Sequence, residues 1–186
     1  MPATDIRGKV REAYSAAAAE PEAGHPFPVG RAFAESLGYP AELLRRLPPS
    51  SVEAFAGVSN ISMIADIAPG DTVLDLGCGA GLDAFIAARG AGRVVALDFS
   101  ETMLRRARGG PNVVFCCAEA EQLPLADATI DVALVNGIFN LNPSRDAIFR
   151  ELSRVLRPDG TVYAAELILS RPLAPEEQAS EANWFA

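Results

Sequence analysis

Short apolar runs alternate with amphipathic stretches through residues 71–166. Five runs have the length and aliphatic composition of buried strands, and they cover residues 72–76, 93–98, 112–117, 130–136 and 161–166. Amphipathic stretches follow the first, second and fourth runs, at residues 82–89, 100–108 and 143–156. Parallel strands connected through helices form right-handed crossovers in nearly every case. The alternation therefore predicts an α/β fold with a doubly wound, mostly parallel sheet.

Residues 1–70 lack such runs, and their pattern indicates helices. We predict one helix that ends near Ala19, then a loop rich in proline and glycine. Four shorter helices are predicted at residues 31–37, 40–47, 50–56 and 60–67, the third of them with a serine cap. The composition changes at Pro69-Gly70, so we expect a helical N-terminal cover or lid over residues 1–70 and a binding domain over residues 71–186.

The charge balance and the apolar runs exclude several kinds of partner. The 186 residues carry 16 Lys and Arg against 24 Asp and Glu, a formal net charge of −8. An acidic surface repels a phosphate backbone, so nucleic acid is not an expected partner. No apolar run reaches the roughly 18 residues of a membrane span, and the N-terminus has no apolar block typical of a signal peptide. We therefore expect a cytoplasmic protein that does not enter a membrane.

The chain has three cysteines, Cys78, Cys116 and Cys117. They form neither an even set for disulfides nor a C-x-x-C metal pair, and neighbouring cysteines bridge each other poorly. Reduced thiols and no metal site are the expectation.

Three glycines, Gly77, Gly79 and Gly81, follow the first predicted strand and precede a helix. Such a turn lets a ligand approach the backbone, with free N–H groups directed at an anion, although a tight strand-to-helix connection alone would also explain it. The spacing is G-x-G-x-G, whereas the dinucleotide fingerprint is G-x-G-x-x-G. Asp75, on the strand itself, disfavours a pyrophosphate and suits a ligand that carries an ammonium group beside its carboxylate.

Asp98 ends the second predicted strand, where an acidic residue can accept from both hydroxyls of a ribose. The alternative is a helix cap, because Asp98-Phe99-Ser100 precedes a helix. A ligand with an amino acid at one end and a ribose in the middle is an aminoacyl nucleoside.

Four segments in this order resemble class I S-adenosylmethionine-dependent methyltransferases: V-L-D-L-G-C-G-A-G (73–81), A-L-D-F-S (96–100), A-E-A-E-Q-L-P (118–124) and R-V-L-R-P-D-G (154–160). The resemblance implies a Rossmann-like sheet, S-adenosylmethionine as cofactor and methyl transfer to a small-molecule acceptor. The excess of Arg over Lys and the many Ala residues are a bias toward GC-rich codons, which indicates a bacterial source. The resemblance places the methionine part of the cofactor at Asp75 and the glycine loop, the ribose at Asp98, the adenine beside Phe99 and Glu119, and the sulfonium beside Asn136. The full set of cofactor-binding residues implied is Asp75, Gly77, Cys78, Gly79, Gly81, Asp98, Phe99, Ala118, Glu119 and Asn136.

Within the class, Asp83 and the segments 37–48 and 136–143 resemble the arsenite methyltransferase branch. Three soft thiolates are what would hold trivalent arsenic in that branch. At the corresponding places this chain has residues 25–27, 57–60 and Gly137, none of which is a cysteine. Cys116 and Cys117 would point to opposite faces of a strand. The resemblance therefore implies an acceptor other than arsenite.

Methyl transfer from a sulfonium is an in-line displacement with an activated leaving group, so positioning and desolvation carry most of the catalysis. A base is needed only for an acceptor that arrives protonated. The candidates are His25, Tyr14 and Asn140, with Phe139 shaping the acceptor pocket. His25 could equally be a polar residue of an exposed loop, and Tyr14 a core or lid residue of the first helix. Glu166 could face the site or cap a turn, and we favour the cap.

Members of this class usually add an antiparallel strand hairpin after the fifth strand, whereas this sequence ends about 20 residues beyond it. We therefore expect the hairpin to be absent from this sequence, so that either the sequence is a truncated or processed form or a second copy or a partner chain pairs at the strand-five edge. The alternative function is that of a non-catalytic S-adenosylmethionine-binding partner or regulatory subunit.

Overall fold

A computed structural model describes residues 3–168 of the chain. Its strands are β1 (Thr72–Leu76), β2 (Arg93–Asp98), β3 (Val113–Cys117), β4 (Ile130–Asn136) and β5 (Leu156–Ala165). They form one sheet in the order β3-β2-β1-β4-β5, and every pair in it is parallel. The predicted Rossmann-like, doubly wound architecture is confirmed.

Eight helices surround this sheet in the described part of the chain. They are α1 (Ala3–Ala19), α2 (Arg31–Ser36), α3 (Ala41–Leu44), α4 (Pro49–Glu53), α5 (Ile61–Ile64), α6 (Leu82–Ala87), α7 (Glu101–Arg106) and α8 (Arg145–Val155). The first five precede the sheet, and α6, α7 and α8 lie on the crossovers after β1, β2 and β4. The four short N-terminal helices are one to four residues shorter than predicted.

Two local predictions were wrong. The predicted serine cap of α4 is absent, since Pro48 occupies the N-cap position and Pro49 begins the helix. The fifth strand begins at Leu156, which pairs with Ile130, and the register then shifts before Thr161 pairs with Val132. The bulged residues between them include Asp159 at a φ of 71°, so the last five residues of the R-V-L-R-P-D-G segment lie inside the strand, while Arg154 and Val155 end α8.

The central strands β1, β2 and β4 are covered on both faces, which is why their sequences are nearly uninterrupted apolar runs. Leu74, Leu97 and Val135 pack with Ile148 and Leu152 of α8 on one face. Across the other face, α6 packs against the N-terminal helices, with Tyr39, Leu44 and Phe55 in one buried cluster with Leu82 and Phe85. The helices of residues 1–70 thus pack directly on the sheet domain.

The chain runs outward from β1 to β3 and then returns to β4 on the other side of β1. At this switch point the connections diverge and leave a crevice outside the carboxyl ends of the strands. All strands are parallel, so Asp75, Asp98 and Asn136 lie at the same edge of the sheet. The fold therefore fixes where a ligand would bind.

The expected absence of a strand hairpin falls on residues 169–186, which lie outside the described residues. Pairing of the β5 edge with another chain accordingly stays a prediction.

Candidate functional site

A cavity opens at the carboxyl ends of β1, β2 and β4, and the N-terminal helices close its far side. The sheet contributes nine of the ten cofactor residues expected from the sequence, namely Asp75, Gly77, Cys78, Gly79, Asp98, Phe99, Ala118, Glu119 and Asn136. The N-terminal segment contributes Arg7, Val10, Tyr14, Ser51, Ala54 and Phe55, among others. Residues from six separate segments thus converge on one site.

Gly81 is the expected cofactor residue that the structure places off the cavity wall. Its φ is 85°, and a Cβ there would lie 2.8 Å from ring atoms of Phe115. Gly81 also precedes α6 as its N-cap. It is a glycine because the chain turns in the left-handed region and because an aromatic ring packs against it.

Gly77 is required for a different close approach. Its φ is 77°, and a Cβ would lie 2.4 Å from the Cγ2 atom of Ile138. Only a glycine therefore lets the loop after β1 pass under the loop after β4.

Most backbone N–H groups of the glycine loop already donate hydrogen bonds within the protein. The N–H groups of Gly77 and Cys78 both donate to the carbonyl of Leu97, at 2.8 and 2.9 Å. Gly79 donates to Asp98 Oδ2 at 2.8 Å, and Gly81 donates to the carbonyl of Cys78 at 2.8 Å. Four of the five N–H groups of residues 77–81 are thus engaged within the protein, and the prediction that they are free for an anion was wrong.

Asp75 has the opposite character, since it is buried and only partly satisfied. It is 2% exposed, and no group in the described part of the chain donates to its Oδ2. Burial, followed by the negative charges of Asp83 and Asp98, holds the pKa of Asp75 well above its usual range. An ammonium group in the cavity would satisfy this oxygen and favour the ionised carboxylate.

Asp98 lines the cavity and accepts from two backbone N–H groups, but it is not the cap of α7. Its Oδ1 accepts from the N–H of Ser100 and its Oδ2 from the N–H of Gly79, both at 2.8 Å. The cap of α7 is Ser100 itself, whose hydroxyl accepts from the N–H of Met103. Burial raises the pKa of Asp98 to about 6, against the opposing effect of these N–H donors. The carboxylate joins the glycine loop to α7 and also lines the cavity.

Glu119 is bound by two arginines that the sequence reasoning did not single out. Arg7 Nη2 lies 2.5 Å from Glu119 Oε2, and Arg11 Nη2 lies 2.6 Å from Oε1. Arg11 also stands over the ring of Phe99, 5.1 Å from its centroid. The spacing of four residues, which puts both arginines on one helical face, was the available signal. Helix α1 therefore crosses the adenine end of the expected cofactor site.

The side-chain amide of Asn136 is fully engaged at the end of β4. Its Oδ1 accepts from the N–H groups of Val58 and Ser59 at 2.9 and 3.1 Å. Its Nδ2 donates to the carbonyl of Ser59 at 2.8 Å and to Asp83 Oδ2 at 2.9 Å. Asp83 in turn accepts from the hydroxyl of Tyr39 at 2.6 Å and from that of Ser62. This buried network ties the N-terminal segment to the sheet beside the cavity.

Of the three catalytic candidates, Tyr14 alone lines the cavity. Its ring stacks on Phe27, with centroids 4.5 Å apart. Burial and then the charges of Asp98 and Glu166 raise the pKa of its phenol. Tyr14 therefore stays protonated and can donate a hydrogen bond, but it cannot act as a base near neutral pH.

The other two candidates are held away from the cavity wall. His25 Nε2 lies 2.8 Å from the carbonyl of Glu20, so this nitrogen is the donor. The Asn140 side chain donates to the carbonyl of Leu167. Phe139 is buried in the core and stacks on Phe149, so the expectation that it shapes the acceptor pocket was wrong.

Glu166 caps the loop after β4, whereas the cap favoured from the sequence was on the turn that follows Glu166. Its carboxylate accepts from the N–H groups of Phe139, at 2.7 Å, and Asn140, at 3.3 Å. Burial raises the pKa of Glu166.

The polar residues that the sequence reasoning missed are Ser51, Glu121 and Asn142. Glu121 Oε1 accepts from Asn142 Nδ2 at 3.0 Å and lies 3.2 Å from Arg7 Nη1. Among the described residues, Glu121 Oε2, Ser51 Oγ, Asp75 Oδ2 and Arg106 Nη1 are the buried side-chain atoms without a hydrogen-bond partner. Three of these four atoms belong to residues of the cavity wall.

Cys78 is buried in the cavity wall, while Cys116 and Cys117 lie at the end of β3. Cys116 packs against the core and Cys117 is exposed, so they face opposite sides of the sheet. No group of three or more His, Cys, Asp or Glu residues within 3–168 could hold a metal ion. None of the helices in that range is long and apolar enough to cross a membrane.

Comparison with known proteins agrees with this geometry. Residues 67–184 match the family model described as a methyltransferase domain. An arsenite methyltransferase of Halobacterium salinarum is 35% identical over 153 residues, which cover 77% of this chain and 39% of the relative. A demethylmenaquinone methyltransferase of Corynebacterium urealyticum is 40% identical over 111 residues, covering 59% of this chain and 46% of the relative. The chain thus spans less than half the length of these curated relatives.

A solved structure extends the likeness to the N-terminal segment. The arsenic(III) S-adenosylmethionine methyltransferase of Chlamydomonas reinhardtii superposes with a TM-score of 0.63 at 26% identity, covering 86% of this chain and 57% of that one. Fold and site together define the class of Rossmann-like methyltransferases that use S-adenosylmethionine as cofactor. The chain belongs to the methyltransferase-domain family.

Proposed function

We propose that this protein transfers the methyl group of S-adenosylmethionine to a small-molecule acceptor by direct in-line displacement. The buried, unpartnered Oδ2 of Asp75 at the cavity wall is the observation that carries the proposal. The cofactor supplies an ammonium group for this oxygen, ribose hydroxyls for Asp98 and an adenine ring for the space beside Phe99. The protein's own contribution is to orient the sulfonium and to exclude water.

The wall beyond these residues supports an acceptor with an apolar body and one polar group. Val10, Tyr14, Ile138 and Leu141 supply apolar surface. Glu121 supplies a buried carboxylate oxygen without a partner among the described residues, which could accept from an O–H or N–H group. Such a lining favours an organic acceptor.

Two of the relatives named above act on arsenic, but the cysteines of this chain argue against arsenite as its acceptor. Of the three, Cys78 alone lines the cavity, and trivalent arsenic prefers several thiolates. The demethylmenaquinone methyltransferase relative has a carbon acceptor in an organic ring by its name, which is consistent with an apolar pocket.

Calorimetric titration with S-adenosylmethionine and S-adenosylhomocysteine tests the cofactor part of the proposal. We expect micromolar dissociation constants for both, and absence of binding would contradict the assignment. A mixture of small organic acceptors, incubated with methyl-labelled cofactor and resolved by chromatography, then tests turnover. Tight cofactor binding without transfer to any acceptor would favour the alternative of a non-catalytic binding subunit.

A further inference from the structure

Ser51 carries a hydroxyl that nothing described so far explains. Its side chain is completely buried, with a relative exposure of 0%. No group of residues 3–168 forms a hydrogen bond with its Oγ. Leaving a buried hydroxyl unpaired is unfavourable, so a partner supplied by a bound ligand is the physical alternative. Ser51 lines the cavity from α4.

The position of α4 shows which part of the cavity Ser51 borders. Ala54, three residues further along, lies in one buried cluster with Ala80 of the glycine loop and Met103 of α7. Met103 Sδ is also 3.8 Å from where a Cβ of Gly79 would lie. Ser51 lies three residues before Ala54 and lines the same cavity as the glycine loop.

The glycine loop is short of donors for an anion. The N–H groups of Gly77, Cys78, Gly79 and Gly81 are engaged within the protein. A carboxylate has two oxygens with about four acceptor sites, and burying it unsatisfied is costly. A hydroxyl in the wall above the loop would supply the missing donor without adding a charge beside Asp75.

We propose that Ser51 donates a hydrogen bond to the carboxylate of the amino-acid part of S-adenosylmethionine. The N-terminal segment thereby completes the cofactor site, with Asp75 on the ammonium side and Ser51 on the carboxylate side. This inference rests on the proposed function, because it assigns a residue to the same cofactor.

The test compares two ligands and two neighbouring serines. S-adenosylhomocysteine carries the amino-acid carboxylate, whereas 5′-methylthioadenosine has the same adenosine and thioether without it. Ser51→Ala removes the hydroxyl, and hydrogen bonds to charged groups are strong enough to weaken S-adenosylhomocysteine binding about tenfold or more. The affinity for 5′-methylthioadenosine should stay as in the wild type.

Ser50→Ala is the matched control. Ser50 is the preceding residue of α4, and its hydroxyl donates to the carbonyl of Arg106 at 2.8 Å. Ser50→Ala should bind both ligands like the wild type, and thermal unfolding of each variant checks that it is folded.

Three results are decisive. Unchanged S-adenosylhomocysteine binding by Ser51→Ala overturns the proposal, and so does an equal loss for 5′-methylthioadenosine, which would place the hydroxyl on the adenosine. If the wild type binds neither ligand, the proposed function itself fails. That outcome is distinct from a failure of the Ser51 assignment alone.

Discussion

The carboxylate of Asp75 is buried away from water, and its Oδ2 has no hydrogen-bond partner in the described part of the chain. Such a group resists ionisation until an opposite charge arrives, because burial and two neighbouring acids raise its pKa. It is unfavourable for stability and becomes favourable only with a cation in the cavity. A residue kept under these conditions points to a ligand.

The first prediction follows from this raised pKa. Binding of S-adenosylhomocysteine places an ammonium group beside Asp75, which lowers the pKa of Asp75 and releases a proton. Calorimetry at pH 7 in two buffers of different ionisation enthalpy should give different observed enthalpies, and affinity should rise with pH. Asp75→Asn should reduce both the proton release and the affinity, the latter by about tenfold or more because a charged hydrogen bond is lost.

Asp98 serves as the control for that experiment. Its pKa is raised to about 6, so near pH 7 it is mostly ionised before the ligand binds and contributes few protons. Equal enthalpies in the two buffers for the wild type would contradict the role of Asp75.

At the scale of elements, α1 is attached over the cavity by exposed contacts. Arg7 and Arg11 pair with Glu119 at 2.5 and 2.6 Å, and Ser15 and Ser100 share a hydrogen bond of 3.0 Å. The charged side chains are 37–51% exposed, and ion pairs of this kind contribute about 0.2–1 kcal/mol each. These ion pairs add to the packing of the buried Val10, Ala17 and Ala18 of the same helix and are one part of what holds α1 in place.

The second prediction concerns this helix. The double variant Arg7→Gln/Arg11→Gln should bind and release S-adenosylhomocysteine several-fold faster, since opening of α1 no longer breaks the three ion pairs of these arginines with Glu119 and Glu121. Stopped-flow kinetics should also show that salt accelerates the wild type more than the variant, because screening weakens exposed pairs. Arg105→Gln, which removes an exposed pair with Glu101 on α7, should behave as the wild type. Rates that the double variant leaves unchanged would show that α1 does not gate the cavity.

At the scale of the whole molecule, the buried acids of the site affect stability as a group. Burial raises the pKa of Asp75, Asp83 and Asp98 in the folded protein. A carboxyl whose folded pKa is raised contributes its stability below the unfolded pKa and loses it as pH rises through the folded pKa. For Asp98 that window runs from about 4 to about 6. Glu151, whose pKa is lowered to about 2 beside Arg154, acts with the opposite sign below about 4.5.

The third prediction is that the contribution of Asp98 to the free energy of unfolding decreases from pH 4 to pH 6 in the ligand-free protein. Urea unfolding at several pH values should show a less negative slope for Asp98→Asn than for the wild type over this window. The slope is the readout, since the substitution also alters the hydrogen bonds to Gly79 and Ser100. Parallel curves for the two proteins would exclude Asp98 as a titrating group there.

Much of the molecule followed from local pattern. The bounds of β1, β2 and β4 agree with the sequence prediction to the residue, because parallel strands that are buried on both faces have continuous apolar sequences. The N-cap of α7 is Ser100, a residue type that N-cap positions favour. The bulge within β5 was not predicted, because it depends on which residues of β4 pair with Leu156 and Thr161.

The sequence by itself determined the sheet, its class and the edge at which the site lies, because strand periodicity, glycine spacing and acidic strand ends are local properties of the chain. Only the tertiary structure decided which groups are engaged and which remain open. The tertiary structure pairs Glu119 with two arginines and engages the glycine-loop N–H groups in hydrogen bonds with Leu97 and Asp98. It also leaves Ser51 and Asp75 in the cavity wall without full hydrogen-bond partners. The physical reason is that hydrogen-bond satisfaction and burial depend on contacts between residues far apart in the chain, which no local pattern encodes.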